Sequence, residues 1–212
     1  MPGPFVSWSR VTVACVGALL LAGCLDERSL RGAGAQGTAG EDGGAGEGPL
    51  ELGTTLGRWP FDDGTKGWQA ELGVEQRFSD EDAANASDSG SLEIVNTIAG
   101  EGNEISTAGT SHCLPVHEGR TYHVSLAAYV DPDQPIAGAG FALEFLNAEQ
   151  CQGLLKGTSS LIVPSNGSWQ RLARSLPAPP EAKTVLFRLV TNKLYKYPNL
   201  LARFDDVRFA EE

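Results

Sequence analysis

The stretch Thr121-Tyr122-His123-Val124-Ser125-Leu126-Ala127-Ala128-Tyr129-Val130 decides the fold class. Tyr122, Val124, Leu126, Ala128 and Val130 share one face, and His123, Ser125, Ala127 and Tyr129 the other, which is the period of two that a half-buried strand requires. Working outward, Phe141, Leu143 and Phe145 alternate in the same way within Ala139–Leu146, as do Val185, Phe187 and Leu189 within Thr184–Val190. Further strands are expected at Trp59–Phe61, Trp68–Glu71, Val74–Phe78, Ser91–Asn96, Glu104–Thr107, Trp169–Leu176 and Ala202–Phe209. Turn signals separate them: Asp63-Gly64, Ser89-Gly90, Glu118-Gly119, Asn166-Gly167 and the run from Pro177 to Pro180. No segment carries a long helical period. Many short, half-apolar strands joined by such turns predict an all-β, two-sheet sandwich.

Upstream, the chain changes character. Within residues 1–23 a short segment bearing Arg10 precedes the apolar run Val11–Leu21. That run falls short of the roughly 20 residues needed to span a bilayer but suits a signal peptide. Leu21-Ala22-Gly23-Cys24 then resembles a bacterial lipobox, which implies a diacylglycerol thioether on Cys24 after cleavage. Cys15, preceded by Thr12-Val13-Ala14, is a poorer match, and cleavage there would cut the apolar run in half. The bland alternative is an ordinary secretory signal with an incidental cysteine. Leu25, rather than aspartate, follows Cys24, so the expected address is the bacterial envelope at the outer membrane or cell surface. Residues 24–53 are rich in Gly and Ala and read as a flexible tether, leaving residues 54–212 as one folded domain.

Charge narrows the partners. The formal net charge is −11. All 27 acids follow Cys24, and only Arg10 among the cations precedes it, so the mature chain stands at −12. Nucleic acid and anionic lipid head groups reward clustered cations and are not expected as partners. With Cys15 in the signal and Cys24 lipidated, Cys113 and Cys151 remain, and an exported pair invites a disulfide. A metal or catalytic role finds less support, since neither sits in a Cys-x-x-Cys pattern.

The order of several pieces carries a resemblance. Trp59-Pro60-Phe61-Asp62-Asp63-Gly64 and Gly67-Trp68 come first, then Ser89-Gly90-Ser91-Leu92-Glu93-Ile94 and Gly119-Arg120-Thr121-Tyr122. Gly167-Ser168-Trp169-Gln170 and Ala202-Arg203-Phe204-Asp205-Asp206-Val207 follow. The succession, covering nearly all of Leu56 to Phe209, resembles the jelly-roll carbohydrate-binding modules of families four, nine and twenty-two, within the galactose-binding-like superfamily. The resemblance implies that Trp68, Trp169 and Tyr122 are core residues and that Cys113 and Cys151 lie on neighbouring segments. It also implies a structural Ca²⁺ between Asp62 and Asp205, with backbone carbonyls near Ser89 or Gly90. The family usually has Glu where Asp62 stands.

A sugar site needs rings against pyranose faces and amides, acids or Arg for the hydroxyls. The candidates are Tyr129 and His123 on the polar face of the opening strand, Glu144 and Arg188 on neighbouring strands, and Tyr195 and Tyr197 in a loop. Where the family often places Trp, at or near Ala127, this chain has Ala. The rival reading is that these tyrosines only cover edges of the sandwich. No paired-carboxylate hydrolase pattern, Gly-x-Ser-x-Gly elbow, His-Glu-x-x-His site or phosphate loop is present, so catalysis is not expected. The expected activity is carbohydrate recognition by a lipid-anchored protein. A structural or protein-interaction module is the alternative, and a small glycan-active enzyme a more distant one.

Overall fold

Residues 54–86, 89–132 and 136–212 are described by a computed structural model; residues 1–53, with the expected signal segment, Cys24 and the expected tether, lie outside them. The elements, in chain order, are β1 (Thr55–Trp59), β2 (Gln69–Ala70), β3 (Val74–Ser79), β4 (Ser91–Asn96), β5 (Ile105–Pro115), β6 (Thr121–Val130) and β7 (Gly138–Leu146). A 3₁₀ turn at Glu149–Cys151 leads to β8 (Leu155–Pro164), β9 (Gln170–Pro177), β10 (Thr184–Leu194) and β11 (Leu200–Glu211). The strands form two antiparallel sheets. One runs β3-β4-β11-β6-β9 with β1 also on β11, and the other runs β2-β5-β10-β7-β8.

The alternation read in the sequence is what holds the sheets together. Tyr122, Val124, Leu126, Ala128 and Val130 of β6 are buried, and so are Phe141, Leu143 and Phe145 of β7 and Val185, Phe187 and Leu189 of β10. They meet in one core with Leu92, Ile94, Phe204, Val207 and Phe209. Each such side chain contributes about 1.5–3 kcal/mol of hydrophobic stabilisation. Tyr122 is wholly buried, and its hydroxyl accepts the His117 N–H at 2.7 Å. Burial raises its pKa above the ordinary tyrosine value.

Three expectations need correction. Trp169 is only half-buried and sits on an outer face; Trp68 is in the core as expected, edge-on to Trp59 at 5.1 Å. The first strand lies earlier than Trp59–Phe61, because Phe61 adopts φ 57° and turns the chain away. Finally, β8 adds a strand that no alternation in the sequence announces, and β5 runs well beyond Glu104–Thr107. Cys113 and Cys151 form the expected disulfide, with Cα atoms 5.7 Å apart, tying β5 to the 3₁₀ turn.

Candidate functional site

Register decides which side chains share the outer face of the five-stranded sheet. Arg188 of β10 stands opposite Ser111 of β5 and Ala142 of β7, and the row continues to Gln69 on one side and Ser160 on the other. In the next row Leu186 lies between Cys113 and Glu144, with Thr158 beyond. A third row, Gly109-Val190-Gly140, is buried despite facing outward. Its two glycines have no room for a side chain: a Cβ on Gly140 would meet the Leu161 carbonyl oxygen at 1.9 Å, and one on Gly109 the Leu189 oxygen at 2.0 Å.

Arg188 is the polar centre of this face. Its Nε donates to Glu71 Oε1 at 2.6 Å and its Nη2 to Glu71 Oε2 at 2.7 Å, a forked pairing; Nη1 donates to Glu144 Oε1 at 3.0 Å. Glu71 Oε2 also accepts the Gly109 N–H, which fastens the acid over the glycine row. The hydrogen bond from Arg188 to Glu71, and the charges of Glu71 and Glu144, raise the pKa of the guanidinium above its ordinary value. Two acids and one cation leave the trio with one net negative charge. Guanidinium has five N–H donors in a fixed fork. Three are used here, so two remain unpaired among the described residues, on the face that also carries Ser111, Thr158 and Ser160.

A cleft of about 1110 Å³ continues from this face, bordered by Gln69, Ser111, Leu186, His117, Glu149 and Lys183. The disulfide lies in its wall, so the 3₁₀ turn is held as one side of the cleft. Among the described residues, register places no aromatic ring at an outward position of these five strands.

The six residues singled out for sugar contact therefore do not converge. Glu144 and Arg188 meet, as expected, but on the five-stranded sheet. His123 and Tyr129 belong to β6 in the other sheet, six residues apart on one face and so about 20 Å from each other. His123 Nδ1 lies 3.1 Å from Ser175 Oγ. Tyr195 and Tyr197 occupy the β10–β11 turn, where their backbone groups are stitched to Glu104, Gly100 and Leu194. The buried Lys193 closes that turn: its Nζ donates to the Tyr197 carbonyl at 2.7 Å and to Ile98 O. Burial lowers the Lys193 pKa. Glu71, absent from the sequence-based set, is the residue that completes the Arg188 site. No local signal pointed to it, since its partner is 117 positions away.

The calcium candidates also separate by environment. Asp62 is exposed. Asp205 is buried at the irregularity where β11 exchanges its partner β4 for β1, and it accepts the N–H groups of Ala83 at 3.0 Å and Asp206 at 2.6 Å. Buried Asp82 stands beside it and accepts N–H groups from Ala84 and Ala86. Burial first, then the charges of Asp206 and Asp82, raise the pKa of Asp205. These are hard oxygen donors of the kind Ca²⁺ takes. Among the described residues, however, no group of three or more His, Cys, Asp or Glu side chains is gathered for a metal.

Against known proteins, no family model and no curated protein sequence matches the chain. Solved structures do. The CBM22-1 xylan-binding domain of Paenibacillus barcinonensis Xyn10C aligns with a TM-score of 0.52 at 15% identity, over 76% of this chain and 96% of that domain. The CBM22-1–GH10 modules of the Clostridium thermocellum xylanase Xyn10B, complexed with xylohexaose, give 0.54 at 12% identity, over 75% of this chain and 29% of that one. An arabinose-bound MgGH51 α-L-arabinofuranosidase gives 0.55 at 16% identity, over 77% and 27%. The chain thus spans under a third of the two enzymes. At these identities the likeness is one of fold, and the fold is the jelly-roll sandwich of carbohydrate-binding modules.

Proposed function

We propose that this chain is a non-catalytic, lipid-anchored carbohydrate-binding protein whose sugar face is the outer side of the five-stranded sheet. The observation that carries this reading is Arg188, half-buried between Glu71 and Glu144 on the face that the cleft shares through Ser111 and Leu186, and retaining N–H donors without a partner among the described residues. Carboxylate acceptors and guanidinium donors fixed by one another match the paired hydroxyls of a sugar ring, and the serine and threonine hydroxyls extend the pattern. Without a ring to stack on, this face binds weakly and by hydrogen bonds. The jelly-roll likeness to xylan-binding domains supports the ligand class.

The lipid on Cys24 and the tether of residues 24–53 hold the domain at the envelope surface, within a few tens of ångströms of the membrane. Radiolabelled fatty acid incorporated by the parent chain and not by Cys24→Ser tests the anchor. For the sugar face, the full chain carrying Cys24→Ser is titrated against an array of neutral glycans. Retention that is weakened in Arg188→Ala and in Glu144→Gln supports the reading. The rival, a structural or protein-interaction module on the same fold, is favoured if no glycan is retained. A structural Ca²⁺ between Asp62 and Asp205, with Asp82 beside Asp205, is part of the same proposal. A melting temperature unchanged by EGTA overturns that part.

A further inference from the structure

The six-stranded sheet carries a row of its own on its outer face. Register sets Arg77 of β3 opposite Glu93 of β4, Glu93 opposite Arg203 of β11, and Arg203 opposite Tyr129 of β6. Tyr129 in turn faces Trp169, just ahead of β9, with ring centroids 5.8 Å apart. Four strand spacings make this row about 19 Å long. Its members are fastened to one another. Arg77 Nε pairs with Glu93 Oε1; Arg203 Nε donates to Glu93 Oε2 at 2.9 Å and its Nη1 to Glu81 Oε2 at 2.8 Å. The Arg203 guanidinium lies 5.3 Å from the centroid of the Tyr129 ring.

We propose that this row is a second carbohydrate-binding surface, for a neutral extended oligosaccharide, independent of the Arg188 face. Tyr129 and Trp169 are half-buried, so their rings are held in place yet reach solvent. Rings of this kind stack against the apolar faces of pyranoses. At the other end a hollow of about 460 Å³ is lined by Arg77, Phe78, Asp80, Glu81, Glu93 and Arg203. Among the described residues Arg77 spends only Nε, and Arg203 Nε and Nη1, so both keep N–H donors for hydroxyls. The charges choose the ligand. Within the row Arg77 and Arg203 are balanced by Glu93 and Glu81, and Asp80 adds one negative charge, so the row offers a uronate or sulfate no net positive charge while neutral hydroxyls find donors and acceptors alike. Trp169 supplies the aromatic partner that a single tyrosine on this face would lack.

The inference shares the ligand class of the proposed function but not its residues, so the two are separable. The full chain carrying Cys24→Ser is titrated with a panel of neutral oligosaccharides, xylohexaose among them, by calorimetry and tryptophan emission. Tyr129→Ala and Trp169→Ala are each expected to weaken binding about ten-fold, and Trp169→Phe to hold it within about three-fold. Arg188→Ala is expected to leave the ligand-induced change in Trp169 emission intact. Parent-like binding by folded Tyr129→Ala and Trp169→Ala overturns the second surface alone. Loss of all binding in Arg188→Ala does the same and leaves the first face standing. A panel that binds nowhere overturns both.

Discussion

Arg188 and Asp205 are the two side chains whose removal should say most, and they act in opposite senses. Arg188 neutralises two acids that would otherwise face each other across the sheet, and its side chain is 20% exposed. In Arg188→Ala both carboxylates lose their cation. A loss of about 1–3 kcal/mol is expected from chemical denaturation, less than a fully buried pair would cost because water reaches the site. Asp205 is penalised rather than supported. Its folded pKa is raised, chiefly by burial, so the folded chain holds that proton more tightly than the unfolded chain does. Without a cation, its contribution therefore improves as pH falls from above the raised pKa toward the ordinary carboxylate value, and worsens as pH rises again. Scanning calorimetry of the chelated protein between about pH 5 and 8 should show that trend weakened in Asp205→Asn, and Ca²⁺ should flatten it in the parent only. At this scale the sequence was half readable. Glu144 and Arg188 were identified by type and strand position, but Glu71 pairs with Arg188 through a topology that no local pattern encodes.

At the scale of elements, legibility followed burial. β6, β7 and β10 occupy central positions, and their inward residues over Tyr122–Val130, Phe141–Phe145 and Val185–Leu189 are apolar, so a period of two shows plainly. β8 is an edge strand whose first half reads Leu-Lys-Gly-Thr-Ser-Ser, polar on both faces, and the alternation never emerges there. The same weakness explains why Glu144 and Arg188 were grouped with β6. Alternation tells which face a residue takes but not which sheet its strand joins. Trp169 was misplaced for a related reason: it precedes β9 at the sheet's rim, where an aromatic can pack sideways on Tyr129 instead of inward. The disulfide is the element-scale contact with a separable energy. It closes a loop of 38 positions and holds the 3₁₀ turn against β5. The entropy it removes from the unfolded chain corresponds to about 4 kcal/mol. Cys113→Ser with Cys151→Ser should lower stability by about 3–4 kcal/mol in urea titrations. It should also weaken glycan binding at the Arg188 face, whose cleft wall the turn forms, while a loss of stability with unchanged binding would detach the cleft from the site.

For the molecule as a whole, charge separates the ligands it can hold from those it repels. The chain carries a net charge of −11, and neither proposed site has a surplus of cations: Arg188 is outnumbered by Glu71 and Glu144, and Arg77 and Arg203 are matched by Glu93 and Glu81. A polyanion approaching either site meets a net negative cluster on a chain of net charge −11, a repulsion that salt screens over about 8 Å at physiological ionic strength. A neutral oligosaccharide exchanges water for hydrogen bonds and ring contacts, and displaces no counterions. Its affinity should therefore change by less than about two-fold between low salt and about 0.5 M NaCl, where the Debye length is only a few ångströms. A uronate polymer should show no retention at low salt and at most a trace at high salt. Affinity electrophoresis in gels containing either xylan or polygalacturonate measures both arms. Affinity for the neutral chain that collapses with salt would mean that charge, rather than hydroxyl recognition, drives binding. Strong binding of the acidic chain at low salt would place a cationic site apart from these two, with Arg58 and Arg208, opposite each other on β1 and β11, as the first residues to replace.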